Sequence, residues 1–74
     1  MAKAAHPLLR RIGQRVKKAR EERKWSQERL ADEASVDRSY MSGIERGVRN
    51  VSILKLGQLA RALGVPLRAL FPER

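Results

Sequence analysis

The chain contains no cysteine and a single histidine, His6. The first absence excludes a disulfide framework and a thiolate metal site. One imidazole cannot hold a metal ion alone, so no metal or other cofactor is expected. Aromatic residues are scarce: one tryptophan, one tyrosine and one phenylalanine make up 4% of the chain. That is too few for the stacking platforms that bind single strands or RNA without sequence preference. No apolar run approaches the roughly 20 residues a membrane-spanning helix needs, and no signal peptide is visible. No Ser/His/Asp or Cys/His arrangement, phosphate loop or metal set is present, so catalysis is not expected. Strand alternation, internal repeats and low-complexity tracts are also missing. Acidic residues are the last shortage, with 8 Asp and Glu against 17 Lys and Arg, which leaves a formal charge of +9.

Such an excess on a 74-residue chain favours polyanionic partners, and counterion release from nucleic acid would supply most of the raw affinity. A membrane surface is the other polyanion to weigh, because the segment after Pro7 is basic and amphipathic. Its apolar stripe is better explained as one side of a core shared with the other segments. The chain is one small domain, near the size at which a core suffices without staples. Stability must come from packed helices and from dimerisation.

The most informative stretch is residues 26–47, SQERLADEASVDRSYMSGIERG. It reads as two short helices joined by a tight turn. Ser26 is an N-cap, with Trp25 and Leu30 at the spacing of a hydrophobic staple; Arg29 stands where a capping box would need Glu or Gln. The first helix of the pair buries Leu30, Ala31 and Ala34. Asp37 caps the second, Val36 and Met41 repeat the staple, and Gly47 ends it in the left-handed conformation. At 100° per residue, Met41 and Ile44 face inward, while Arg38, Ser39, Ser42, Gly43 and Arg46 fan over the opposite side. Tyr40 lies on the boundary. Apolar anchors behind and donors in front, with a central Gly permitting close approach, suit a helix that enters the major groove of DNA. An ordinary amphipathic helix with a solvated face is the alternative.

Residues 1–6 are expected to form a flexible arm, carrying Lys3 and His6, ahead of a domain over 7–74. Pro7 opens helix 1, which should run to about Lys24, with Leu9, Ile12, Val16 and Ala19 on its core face and Gly13 allowing close packing. Arg10, Arg11, Lys17, Lys18 and Lys24 point away. Ser52 caps a fourth helix with a stripe of Ile53, Leu56, Leu59, Ala60 and Leu63. Gly64 ends that helix, and Val65 makes the apolar contact that accompanies such a stop. Pro66 opens a short fifth helix bearing Leu67, Leu70 and Phe71, closed by Pro72. The expected fold is therefore all-α, a compact five-helix domain with a helix-turn-helix. Leu54 lies off its helix's core stripe, near Gly57, Gln58 and Arg61, and with Leu67 and Phe71 it is the candidate dimer interface.

WSQERLA at 25–31, SYMSGIERG at 39–47 and LGQLARALGV at 56–65 resemble the phage-repressor (Cro and repressor type) helix-turn-helix family over residues 8–71. DRSYMSGIERGVRNVS at 37–52 is especially similar to the controller proteins of restriction–modification systems, small dimeric regulators. The resemblance implies base-edge contacts from Arg38, Ser39 and Tyr40, with Ser42 and Gly43 on the same face. It implies phosphate contacts from Gln27, Arg46, Arg49 and Asn50, and a structural ion pair between Arg20 and Glu45. Gly43 departs from members that bear a long base-reading side chain there. By chemistry, Arg38 suits the O6 and N7 atoms of guanine, and Ser39 discriminates weakly. Tyr40 can meet a thymine methyl, reach phosphate or simply close the side of the core.

The expected function is a sequence-specific, homodimeric regulator of transcription on a pseudo-palindromic operator, of the restriction–modification controller kind. The alternative is the antitoxin of a toxin–antitoxin pair or another small phage-type repressor; a long toxin-wrapping tail is missing from this sequence. Expected partners are double-stranded DNA and a second copy of the chain, with RNA polymerase a further candidate and no membrane. The expected location is the cytoplasm, associated with the nucleoid.

Overall fold

A computed structural model describes residues 6–72 as α1 (Pro7–Glu22), α2 (Gln27–Ala34), α3 (Arg38–Arg46), α4 (Ile53–Leu63) and a final 3-10 turn (Leu67–Leu70). The bulk of the expected N-terminal arm, Lys3 included, lies outside the described residues. His6 is the N-cap of α1, its Nδ1 accepting the Leu8 amide at 3.1 Å. The other caps are local chemistry as read from the sequence. Ser26 and Ser52 accept the amides of Arg29 and Lys55 through Oγ, both at 3.0 Å. Each satisfies a first-turn donor that the helix itself cannot.

The fifth helix is the main correction. Between Pro66 and Pro72 the chain makes one 3-10 turn, closed by the Ala69 amide on the Pro66 carbonyl and the Phe71 amide on the Arg68 carbonyl. Phe71 is extended. A segment this short, hemmed by two prolines, cannot propagate the i to i−4 ladder, and the tighter turn still delivers Leu70 into the core. The C-terminus of α1 also moves. The helix stops at Glu22 rather than near Lys24, because Lys24 turns left-handed (φ 60°) and the Trp25 amide returns to the Arg20 carbonyl. This reversal brings Trp25 back against the core.

α1 packs on α3, α2 on α3 and α4, and the final turn closes against α4 and α1. The core is built from Ile12, Val16, Leu30, Met41, Ile44, Leu56, Leu59, Leu63 and Leu70, with Ala31, Ala34 and Ala60 where helices come close. Leu9 is only half-buried. Ile53, expected at the head of the α4 stripe, is 61% exposed. Side chains tilt toward the helix N-terminus, so a first-turn residue hangs past the helix start instead of onto the neighbouring helix. Gly13 sits against the backbone carbonyls of Ile44 and Glu45, so close that a Cβ there would fall 2.6 Å from the Glu45 oxygen. α1 and α3 thus touch backbone to backbone. Among the described residues no helix is long and apolar enough to cross a membrane.

Candidate nucleic-acid interface

The turn between α2 and α3 is made by Ser35, left-handed at φ 58°, followed by Val36, whose amide bonds the Ala31 carbonyl at 2.9 Å. Val36 then packs on the core. Asp37 starts α3, its Oδ2 accepting the amides of Ser39 at 2.9 Å and Tyr40 at 3.2 Å. A carboxylate already holds these two amides, so they are not free to meet an anion at the start of α3. Met41 and Ile44 are fully buried behind. In front, Arg38, Ser39 and Arg46 are exposed and Ser42 is half-exposed.

Gly43 sits differently from the expectation, and Tyr40 lies on the boundary where the sequence put it. Gly43 is buried, and the Arg49 side chain covers it: a Cβ at Gly43 would collide with the Arg49 Cγ. The glycine therefore offers a seat to the following loop, not bare backbone to a groove. Tyr40 is half-buried against the core, and its hydroxyl donates to the Asn50 carbonyl at 3.2 Å. Of the roles left open for it, closing the side of the core is the one seen, with a loop tether added. Arg49 and Asn50 are themselves exposed.

Behind α3 lies the expected ion pair. Arg20 donates to Glu45 through Nε (2.7 Å) and Nη2 (3.0 Å), and its Nη1 donates to the Trp25 carbonyl at 2.7 Å. The side chains are 11% and 2% exposed. The Glu45 hydrogen bonds raise the Arg20 pKa above its ordinary value, outweighing the desolvation that would lower it. Gln27, expected only at phosphate, donates its amide Nε2 to Glu45 Oε1 at 2.9 Å. One carboxylate thus ties α1, the start of α2 and the end of α3 together. Of the residues expected at a dimer seam, Leu54 is 81% exposed, whereas Leu67 and Phe71 are half-buried on the core and offer only part of their surface.

The family described as helix-turn-helix matches residues 16–70. The chain belongs to the helix-turn-helix family. Control protein C.MunI from a Mycoplasma species is 42% identical over 64 residues, covering 85% of this chain and 86% of that protein. The immunity repressor of Bacillus phage phi105 is 44% identical over 62 residues, 84% of this chain, yet the chain spans only 43% of that repressor. Among solved structures, the restriction–modification controller protein C.AhdI from Aeromonas hydrophila is similar at a TM-score of 0.83 and 46% identity, over 85% of this chain and 96% of that one. C.Esp1396I bound to a 19-base-pair DNA duplex is similar at a TM-score of 0.81 and 37% identity, over 88% and 87% of the two chains.

Three features of this helix-turn-helix escaped the sequence reading. The Gln27 link to Glu45 joins residues 18 apart, and the Arg49 seat on Gly43 needs the loop to fold back; neither leaves a periodic signal. Trp25 is flanked by the guanidinium groups of Arg23 and Arg29, 5.0 and 4.6 Å from its ring centre. Arg23 Nε also donates to the Leu63 carbonyl at 2.7 Å, near the end of α4. The arginines at −2 and +4 from the lone tryptophan were the available hint.

Proposed function

We propose that this protein is a sequence-specific double-stranded DNA-binding regulator of transcription, of the restriction–modification controller kind, working as a homodimer. The observation that carries the reading is the exposed Arg38 and Ser39 at the start of a helix anchored by buried Met41 and Ile44. Likeness to C.Esp1396I bound to duplex DNA and to C.AhdI supports it. Arg38 donates to a guanine edge, Ser39 hydrogen-bonds beside it, and Arg46 with Asn50 holds the phosphate backbone. Gln27 keeps a second amide hydrogen for phosphate while the first holds Glu45.

One such helix reads only a few base pairs, so specificity calls for two half-sites. The protein measures 35 × 27 × 22 Å. Two copies side by side would set their reading helices close to one turn of DNA apart, about 34–36 Å. The proposed seam includes Leu54, with the exposed parts of Leu67 and Phe71.

Selection of duplexes from a randomised pool, followed by titration of the enriched duplex and a scrambled one, tests the reading. The expected result is enrichment of a two-fold-related sequence bound on the order of 10³-fold or more above scrambled DNA. Equal binding to both would reduce the protein to a non-specific polycation. The identity of a phage immunity repressor is the second reading, favoured by the phi105 match. Neighbouring methyltransferase and endonuclease genes would decide for the controller, and a phage locus for the repressor.

A further inference from the structure

We infer that the groove between α1 and the final 3-10 turn is a docking site for an acidic, amphipathic segment of a partner protein, separate from the DNA-reading face.

The groove is about 210 Å3 and is lined by Arg15, Lys18, Ala19, Glu22, Val65 and Ala69. Its floor follows from how α4 ends. Gly64 turns left-handed at φ 73°, and the Val65 amide returns to the Ala60 carbonyl at 3.0 Å. Pro66 then begins the 3-10 turn, whose Ala69 amide bonds the Pro66 carbonyl at 2.9 Å. The turn thereby brings a methyl group, not a large side chain, to the groove that Ala19 lines from α1. Ala19, Val65 and Ala69 are each half-buried, so apolar surface remains for a further side chain to cover.

The rim is cationic. Arg15 is half-buried and Lys18 is exposed, and among the described residues neither takes part in an ion pair. Glu22 follows Lys18 by four positions, but lysine on the N-terminal side is the weaker order for such a pair. Arg11, one turn before Arg15, and Arg68, next to Ala69, are exposed and add to the positive field. Carboxylates would therefore meet a guanidinium fork and an ammonium group about one turn apart, neither of them engaged.

Size and shape select the occupant. Cofactor and drug-sized sites enclose roughly 300–1,000 Å3, more than this groove offers. One or two aliphatic side chains of a longer segment would fill it, with the acids of that segment on the rim. Nucleic acid would use the cations but leave the apolar floor uncovered, because no aromatic ring lines it for a base to stack on. At 100° per residue, Arg15 stands about 160° around α1 from Gly13, the residue pressed against α3. A partner held in the groove therefore leaves α3 free.

The test pans short random peptides displayed on phage against the full chain, in excess scrambled duplex DNA that competes away plain polyanion binding. Enriched peptides should carry Asp or Glu beside Val, Leu or Ile. Labelled with a fluorophore, they should bind the free and the DNA-bound chain alike and shift the amide NMR signals of Ala19, Val65 and Ala69. Arg15→Glu and Lys18→Glu should each weaken that binding about tenfold or more by placing like charge on the rim. Ala69→Leu fills the floor and should do the same in a protein with an unchanged circular dichroism spectrum. Should Ala69→Leu fail to fold, the two charge reversals on the helix surface decide. A library that enriches nothing overturns the inference, as do peptides without acids or binding that survives both charge reversals. Peptides displaced by duplex DNA would lie on the reading face, and shifts confined to the surface around Leu54 would mark the seam between copies; either result also overturns it.

Discussion

Replacing Glu45 with alanine removes the acceptor of three hydrogen bonds, from Arg20 Nε, Arg20 Nη2 and Gln27 Nε2. Arg20 would keep only the Trp25 carbonyl on Nη1, with its side chain 11% exposed. Breaking a buried pair from one side costs about 3–5 kcal/mol, because the remaining charge is stranded out of water. Water at the exposed edge of the guanidinium relieves part of that, so we expect a loss near the lower end, about 3 kcal/mol. For a domain of this size that is a large share of the total, roughly 0.05–0.15 kcal/mol per residue. It corresponds to a fall in Tm on the order of 12–24 °C. The pair replaced as a whole by Arg20→Met with Glu45→Leu strands no charge and should lose less than Glu45→Ala alone, although the Trp25 carbonyl then needs a new donor. Thermal and urea denaturation of the three proteins measures this directly. A double variant less stable than Glu45→Ala, or a single variant that loses under about 1 kcal/mol, would refute the reasoning. Arg20 ionisation adds no pH dependence near neutrality. Its raised pKa means that its contribution is complete below the unfolded value and fades only as pH rises through the still higher folded value.

Arg38→Ala should cost about 1–3 kcal/mol on the selected duplex and relax preference at one guanine per half-site. Titration against base-pair variants reads this, and an equal loss on scrambled DNA would demote Arg38 to a phosphate contact. Gly13→Ala should destabilise the fold by about 1–3 kcal/mol, since the added methyl drives α1 off the backbone of α3; an unchanged urea midpoint would contradict that packing. Leu54→Glu should give a folded monomer that binds the selected duplex weakly, since Leu54 is 81% exposed and outside the core. Sedimentation and circular dichroism check both halves of this expectation: a Leu54→Glu dimer would move the seam, and an unfolded protein would put Leu54 in the core. Ser35→Gly should stabilise the turn by about 0.5–1 kcal/mol, because serine at φ 58° pays a steric cost that glycine avoids; a lower Tm would contradict it.

What the sequence could show was whatever its local chemistry encodes. Ser26, Asp37 and Ser52 are side-chain caps because their oxygens reach amides two or three residues on, and such reach is readable from spacing. Gly47 and Gly64 end helices at φ 76° and 73°, which is equally local. The buried face of α3 followed from periodicity. The Arg20–Glu45 pair entered through the family resemblance, and periodicity was merely compatible with it. The misreadings needed the third dimension. Ile53 has the right phase for the core but stands one turn too early on its helix. Residues 67–71 carry a helical apolar pattern, yet two prolines leave room only for a 3-10 turn. Gly43 falls on the outward arc of α3 and is nevertheless buried, because a loop residue from six positions later lies over it. For Gln27 the resemblance implied a phosphate contact, and its bond to Glu45 needed α3 to bring that carboxylate beside it.

In the proposed complex α3 enters the major groove twice, one turn of DNA apart. Methylation interference at guanine N7, an atom exposed only in the major groove, tests it most directly on the duplex enriched by selection. Methylation is expected to block binding at guanines in two clusters related by a two-fold axis, with centres about 10–10.5 base pairs apart. Binding that tolerates N7 methylation everywhere, or that is blocked only by methylation of adenine N3 in the minor groove, would contradict it.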